Sequence, residues 1–304
     1  MYDPDRSQTL TYLGDIRSWG ALVEAMRGPL NIQKGLQGAG IRILTPTISS
    51  PTLADQLQSF IKANPQAKWH VYEPVNRDNA VEGAKLAFGQ PVETQYKPEN
   101  ADVILSLDAD FLYAGFPGFT RYVRDFAKRR NPEAGEMSRL YVVESTPSST
   151  GARADHRLPL RAVEVENFAR QLSLMLTGRL QGGVAVAGLV GAALTGEAAA
   201  FANALATDLS KHKGSSVVVP GDHQSAGLHA LAHAMNAALG NVGKTVFYTD
   251  PVDANPVNQT GSLKDLVADM RGGKVDILII LGGNPAYDAP ADFGFADALK
   301  NTGI

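Results

Sequence analysis

The sequence contains no cysteine. That excludes disulfides, thiolate nucleophiles, Cys-ligated zinc and Cys-ligated iron–sulfur clusters within these residues. It leaves the compartment open, because exported proteins also dispense with cysteine. Long hydrophobic runs are missing too, and nothing approaches the roughly twenty apolar residues that a spanning helix needs. The most lipid-like segment, Val184 to Leu194, is short and is interrupted by Gly188 and Gly191. Neither charge sign is in excess: 28 basic and 31 acidic residues give a net charge of −3. This argues against a nucleic-acid partner and against an acidic disordered tail. The basic cluster Lys128-Arg129-Arg130 falls at the end of an expected helix, where cations meet the negative end of the helix dipole.

Several motifs are absent as well. The glycines at 20, 28, 35, 38 and 40 are not followed by Gly-Lys-Ser/Thr, and no Gly-x-Gly-x-x-Gly follows a strand. No Gly-x-Ser-x-Gly elbow supplies a hydrolase nucleophile. His229 and His233 stand four apart on one helix face, but Ala230 occupies the place of the zinc-protease glutamate. Their neighbours Leu228, Leu231, Met235 and Leu239 point to packing against a sheet, so no metal site is expected. The opening Met1-Tyr2-Asp3-Pro4 lacks the basic and apolar stretches of a signal peptide. Both ends read as cut edges of a longer subunit.

What is present is an alternation of short apolar runs and amphipathic stretches, in a chain of 304 residues that is 44% hydrophobic, enough for one large core or two smaller ones. Ile41–Leu44, Trp69–Glu73, Ala101–Leu107, Leu140–Val143, Val217–Val219, Val246–Tyr248 and Asp276–Leu281 read as strands. Helices are expected from Pro51 to Ile61, from an Asn76 cap to Phe88, after Gly118, and near 163–176, 224–239 and 261–271. The Ala- and Gly-rich stretch 182–206 reads as close helix packing or a mobile loop. The pattern implies a doubly wound α/β fold with mostly parallel sheets, helices on both faces and two lobes. The expected division is an N-terminal extension over 1–34, a first lobe over 35–175 and a second over 176–304.

In such sheets ligands bind beyond the carboxyl ends of strands. Four strand ends are therefore candidates: Asp108 and Asp110; Glu144 and Ser145 with the hydroxyl-rich turn after them; Gly221-Asp222-His223-Gln224; and Gly282-Gly283-Asn284-Pro285. Bland roles compete at each: Asp108 and Asp110 suit helix capping better than cation binding, and Gly-Gly-Asn-Pro suits a tight strand exit. These residues alone leave open an α/β module for a nucleotide or another small molecule.

Taken in order, the strand ends resemble the molybdopterin-oxidoreductase family. Leu278 to Pro285 looks like its strand followed by Gly-x-Asn-Pro, and Ala101 to Phe111 looks like its Ala-Asp-x-Ile strand end. Ala154 to Arg161 is similar to its Ala-Asp-x-x-x-x-Ile-Arg/Lys-Pro segment, and Met235 to Gly243 to its Leu-Asn-x-Leu-x-Gly-Asn-x-Gly helix end. The resemblance covers about residues 35–300. It implies that Asp108, Asp110, Glu144, Ser145, Gly282, Gly283 and Asn284 occupy positions equivalent to those that hold the pterin nucleotide. In cofactor-binding members one strand ends in Asp-Pro-Arg, whose acid meets the guanine nucleotide; here Glu144-Ser145-Thr146-Pro147 stands there without arginine. Glu144 to Pro159 and Ala230 to Gly243 look closest to one branch, the iron–sulfur B subunit of bacterial alternative complex III, a quinol:electron-acceptor oxidoreductase. That resemblance implies a cofactor-free domain, with 4Fe–4S and 3Fe–4S clusters in the rest of the subunit. It also implies cytochrome c and quinol-oxidising membrane subunits as partners, membrane association through the complex on the periplasmic side, and no span of its own. A functional molybdopterin-binding oxidoreductase domain is the competing reading.

Overall fold

The computed structural model describes residues 8–180 and 191–303. A hairpin, β1 (Thr11–Tyr12) and β2 (Asp15–Ile16), precedes α1 (Trp19–Gly35), β3 (Ile41–Thr45), α2 (Pro51–Ala63) and β4 (Lys68–Val71). Next come α3 (Asp78–Phe88), β5 (Glu93–Tyr96), β6 (Val103–Leu107), α4 (Phe119–Lys128), β7 (Arg139–Glu144) and β8 (His156–Pro159). They are followed by α5 (Ala162–Thr177), α6 (Gly196–Lys211), β9 (Ser216–Pro220), α7 (Ala226–Ala238) and β10 (Val246–Thr249). The last elements are α8 (Gln259–Arg271), β11 (Ile277–Ile280), α9 (Pro285–Asp288) and α10 (Phe295–Leu299).

The chain forms two compact units, one from the segments up to Asn76 and from Asp253 on, the other from Arg77–Val252. These do not coincide with the expected division near 175. The reason lies in the sheets: β9 pairs with β6, so the central sheet runs across that boundary, while β11 returns to pair with β3.

In the central unit the sheet order is β8-β7-β6-β9, all parallel. Every residue of β6 is buried, and its side chains alternate between two cores, as strand periodicity requires. Val103, Leu105 and Leu107 pack with Phe168 and Leu172 of α5, Leu205 of α6 and Leu228 of α7. Ile104 faces the other side with Phe111, Tyr122 and Phe126. Each such fully buried large side chain contributes about 1.5–3 kcal/mol of transfer free energy. The helix-end motif at Asn236 has a definite structural role. Its side-chain amide accepts from Val218 N at 3.0 Å and donates to Val218 O at 2.8 Å. This clips α7 to β9. β5 pairs with β10 antiparallel.

In the discontinuous unit β11-β3-β4 is a parallel sheet. Ile41, Ile43 and Ile277 meet Leu57 and Phe60 of α2 on one face; Leu44 meets Leu263, Leu266 and Met270 of α8 on the other. Arg42 is buried beneath this sheet and ion-paired with Asp269 at 2.8 Å.

Local expectations fare unevenly. Ser50 caps α2 as its Ser-Pro start requires, accepting from Leu53 N at 3.4 Å. Asn76 does not cap α3, which begins after Arg77; its amide donates to Glu73 O instead. The basic cluster is bound up in ion pairs, Lys128 with Asp125, Arg129 with Asp102 and Arg130 with Asp155. The expected loop or packing stretch 182–206 becomes helix α6 from Gly196. Its earlier part, with most of the Val184–Leu194 run, lies outside the described residues. Among the described residues no helix is long and apolar enough to cross a membrane.

Candidate functional site

Strand order places the candidate crevice. From β6 the chain moves on to β7 and β8 on one side, whereas β9 lies on the other, so the order reverses between β6 and β9. Ligands of open parallel sheets sit beyond the carboxyl ends at such a reversal. Asp108 follows β6 there, in a left-handed backbone conformation (φ 56°) that non-glycine residues seldom adopt. Its carboxylate joins both neighbouring strand ends. One oxygen accepts from the Ser145 amide at 3.3 Å after β7; the other accepts from Gln224 Nε2 at 3.0 Å and meets His223 Nε2 at 2.9 Å after β9. Gly221 is required for this approach, because a Cβ there would stand 2.2 Å from the Asp108 carbonyl oxygen.

Burial by itself would raise the Asp108 pKa, but the bonds from His223, the Ser145 amide and Gln224 outweigh it and hold the carboxyl below its ordinary value. In return the bond to Asp108 raises the pKa of His223, against partial burial. The result is an exposed imidazole held by a mostly buried carboxylate at the strand-end crevice.

Asp110 points elsewhere. It accepts from Thr150 Oγ1 at 2.7 Å and from the Thr150 amide at 2.8 Å. Asp110 thus ties down Thr150, the residue just ahead of the turn Gly151–Arg153. Glu144 is 1% exposed, and Ser148 donates to it through Oγ while Arg157 of β8 ion-pairs with it. Gly151 closes over this pair, with no room for a Cβ beside the Glu144 carboxylate. The Glu144 turn has no arginine of its own, and Arg157 arrives instead from the neighbouring strand, a pairing that lies beyond the local sequence.

Gly282, Gly283 and Asn284 belong to the discontinuous unit, so the structure groups Asp108, Asp110, Glu144 and Ser145 in one unit and these three in the other. They lie past the end of β11, beside the reversal between β11 and β3. Gly282 and Gly283 both have positive φ, 71° and 75°, and little crowds either one. Backbone conformation, and not close approach, requires glycine at both positions. Asn284 opens α9 without a side-chain capping bond. At the end of β3, Gln259 Nε2 donates to Thr47 Oγ1 at 3.0 Å and Thr47 Oγ1 in turn to Glu73.

His229 and His233 are buried on α7, where His233 Nδ1 lies 3.2 Å from the Tyr248 hydroxyl. Burial lowers both pKa values to about 4, so both rings are neutral near pH 7. Among the described residues no three His, Asp or Glu side chains gather as a metal site would require.

No protein-family model and no curated protein sequence matches the chain. Solved structures do. Acetylene hydratase from Pelobacter acetylenicus superposes with a TM-score of 0.62 at 11% identity over 98% of this chain. The present chain spans about half of that protein, 51% of its length. The formyltransferase/hydrolase complex of Methylorubrum extorquens, solved with methylofuran, matches with a TM-score of 0.52 at 17% identity, over 90% of this chain and 77% of the other. At these identities the likeness concerns the fold alone. The chain has an α/β fold that it shares with these neighbours.

Proposed function

We propose that this chain is a cofactor-free, molybdopterin-oxidoreductase-like scaffold domain of an iron–sulfur electron-transfer subunit in a respiratory quinol oxidoreductase complex. The observation that carries the reading is the state of Glu144. In the cofactor-binding members that the sequence resembles, an acid in this turn meets the guanine nucleotide. Here the carboxylate is buried, with Arg157 and Ser148 taking up its charge and its lone pairs and Gly151 packed over it. Exposing it to a nucleotide would break a buried ion pair, at a cost of several kcal/mol. The residues at this position do not fit the nucleotide, and no chemical step is derived through the cofactor.

A scaffold acts through its surface. The β1–β2 hairpin and the first turns of α1 expose Tyr12, Leu13, Ile16, Trp19 and Val23, apolar side chains of the kind that are covered in assemblies. In this reading partner subunits cover them, among them cytochrome c and quinol-oxidising membrane proteins, on the periplasmic side. The 4Fe–4S and 3Fe–4S clusters lie in other parts of the subunit. Affinity purification of the tagged full-length subunit from detergent-solubilised native membranes tests the assembly. Co-elution with c-type haem subunits is expected. Recovery as a free protein from the soluble fraction, without haem, would contradict it.

A further inference from the structure

The central unit contains a cavity of about 260 Å³ that none of the strand-end residues Asp108, Asp110, Glu144 and Ser145 lines. Its polar wall is formed by Arg77, Glu93, Gln95, Arg121, Asp222 and His229, and its apolar wall includes Phe116 and Tyr122. Within this wall charge is unevenly spent. Arg77 pairs with Glu93 at 2.8 Å and with Asp222 at 3.2 Å, so one cation answers two carboxylates. Arg121 forms no ion pair among the described residues. It lies over the Tyr122 ring and donates through one nitrogen to Gln95 Oε1 at 2.9 Å. A guanidinium carries five N–H donors, so Arg121 retains capacity for an anion.

A second, independent observation comes from His229. It is 4% exposed, it lines the cavity, and its Nε2 has no hydrogen-bond partner. A buried ring nitrogen left unpaired is destabilising, and native structures rarely leave such a group without a reason. A ligand hydroxyl would satisfy it. The cavity is smaller than the roughly 300–1,000 Å³ of drug-sized sites, which restricts the occupant to a small molecule.

We infer that this cavity binds a small hydroxylated carboxylate, its carboxylate on Arg121, its hydroxyl on His229 Nε2 and its carbon body against Phe116 and Tyr122. The inference does not depend on the scaffold reading and concerns a site separate from the Glu144 turn.

The test titrates the full chain at pH 7.5 with glycolate, lactate, mandelate and 4-hydroxybenzoate, and with acetate and benzoate as the partners that lack a hydroxyl. Binding is followed by calorimetry and by long-range proton–nitrogen spectra of the imidazoles. At least one hydroxy acid is expected to bind and to shift the His229 Nε2 resonance, with its des-hydroxy partner bound about tenfold more weakly. Arg121→Gln, a change at a half-buried position that spares the core, is expected to weaken that binding by about tenfold or more, the effect of losing one charge-assisted bond. Absence of binding across the panel would overturn the inference, as would binding indifferent to Arg121→Gln or binding that leaves His229 Nε2 unmoved.

Discussion

Arg157 of β8 ion-pairs with Glu144 at the end of β7, and the pair converts a strand-end acid into a structural element. The Glu144 side chain is 2% exposed, whereas Arg157 keeps an edge in solvent. Removing the arginine would strand a buried charge. Arg157→Ala is expected to destabilise the protein by about 2–4 kcal/mol, read as a lower urea midpoint. Gly151→Ala should do the same, because its Cβ has no room beside Glu144. An unchanged midpoint in both variants would mean that the turn is open.

The buried pair of the discontinuous unit behaves alike. Asp269 accepts from Arg42 at 2.8 Å and from Lys68 at 2.7 Å. Asp269→Asn leaves the Arg42 guanidinium without its counter-charge, and a loss of about 3–5 kcal/mol is expected in denaturant melts. Lys68→Met, which removes the exposed partner, should cost under about 1 kcal/mol.

His229 and His233 give stability a pH dependence of known sign. Burial lowers both to about 4 in the folded protein, while unfolded histidine titrates near 6.5. Between these values the unfolded chain binds more protons, so stability is full above about pH 6.5 and falls as pH drops toward 4. The urea midpoint at pH 5 should lie well below that at pH 7.5. His233→Phe should flatten the slope; an identical slope in that variant would contradict the assignment.

At the crevice the sign reverses. The bond to Asp108 raises the pKa of His223, so its small stabilising contribution is full below about 6.5 and is lost as pH rises through the folded value. Imidazole titration by NMR should place His223 above the unfolded value, and Asp108→Asn should bring it back down. A His223 midpoint that ignores Asp108→Asn would remove the dyad.

What could be read from the sequence follows from how local each signal is. β6 was legible because a strand buried on both faces is a continuous apolar run, Val103 to Leu107. β5 was not, since Glu93-Thr94-Gln95-Tyr96 is polar and its partner β10 is antiparallel and far downstream in the chain. The strand-end positions of Asp108 and Glu144 were legible, but their partners were not. Glu144 meets Arg157 because Val142 registers with Arg157 across β7 and β8, and Asp108 meets His223 because β6 and β9 are neighbours. Strand order and register are properties of the folded sheet. The same limit explains the division into units, which depends on β11 returning to β3.

The central claim is that this domain keeps the fold without the cofactor. Its most direct test is molybdenum and pterin analysis of the full-length protein purified from its native host. The account predicts molybdenum far below stoichiometric and no pterin fluorescence after oxidative release. One molybdenum per chain together with pterin fluorescence would contradict it.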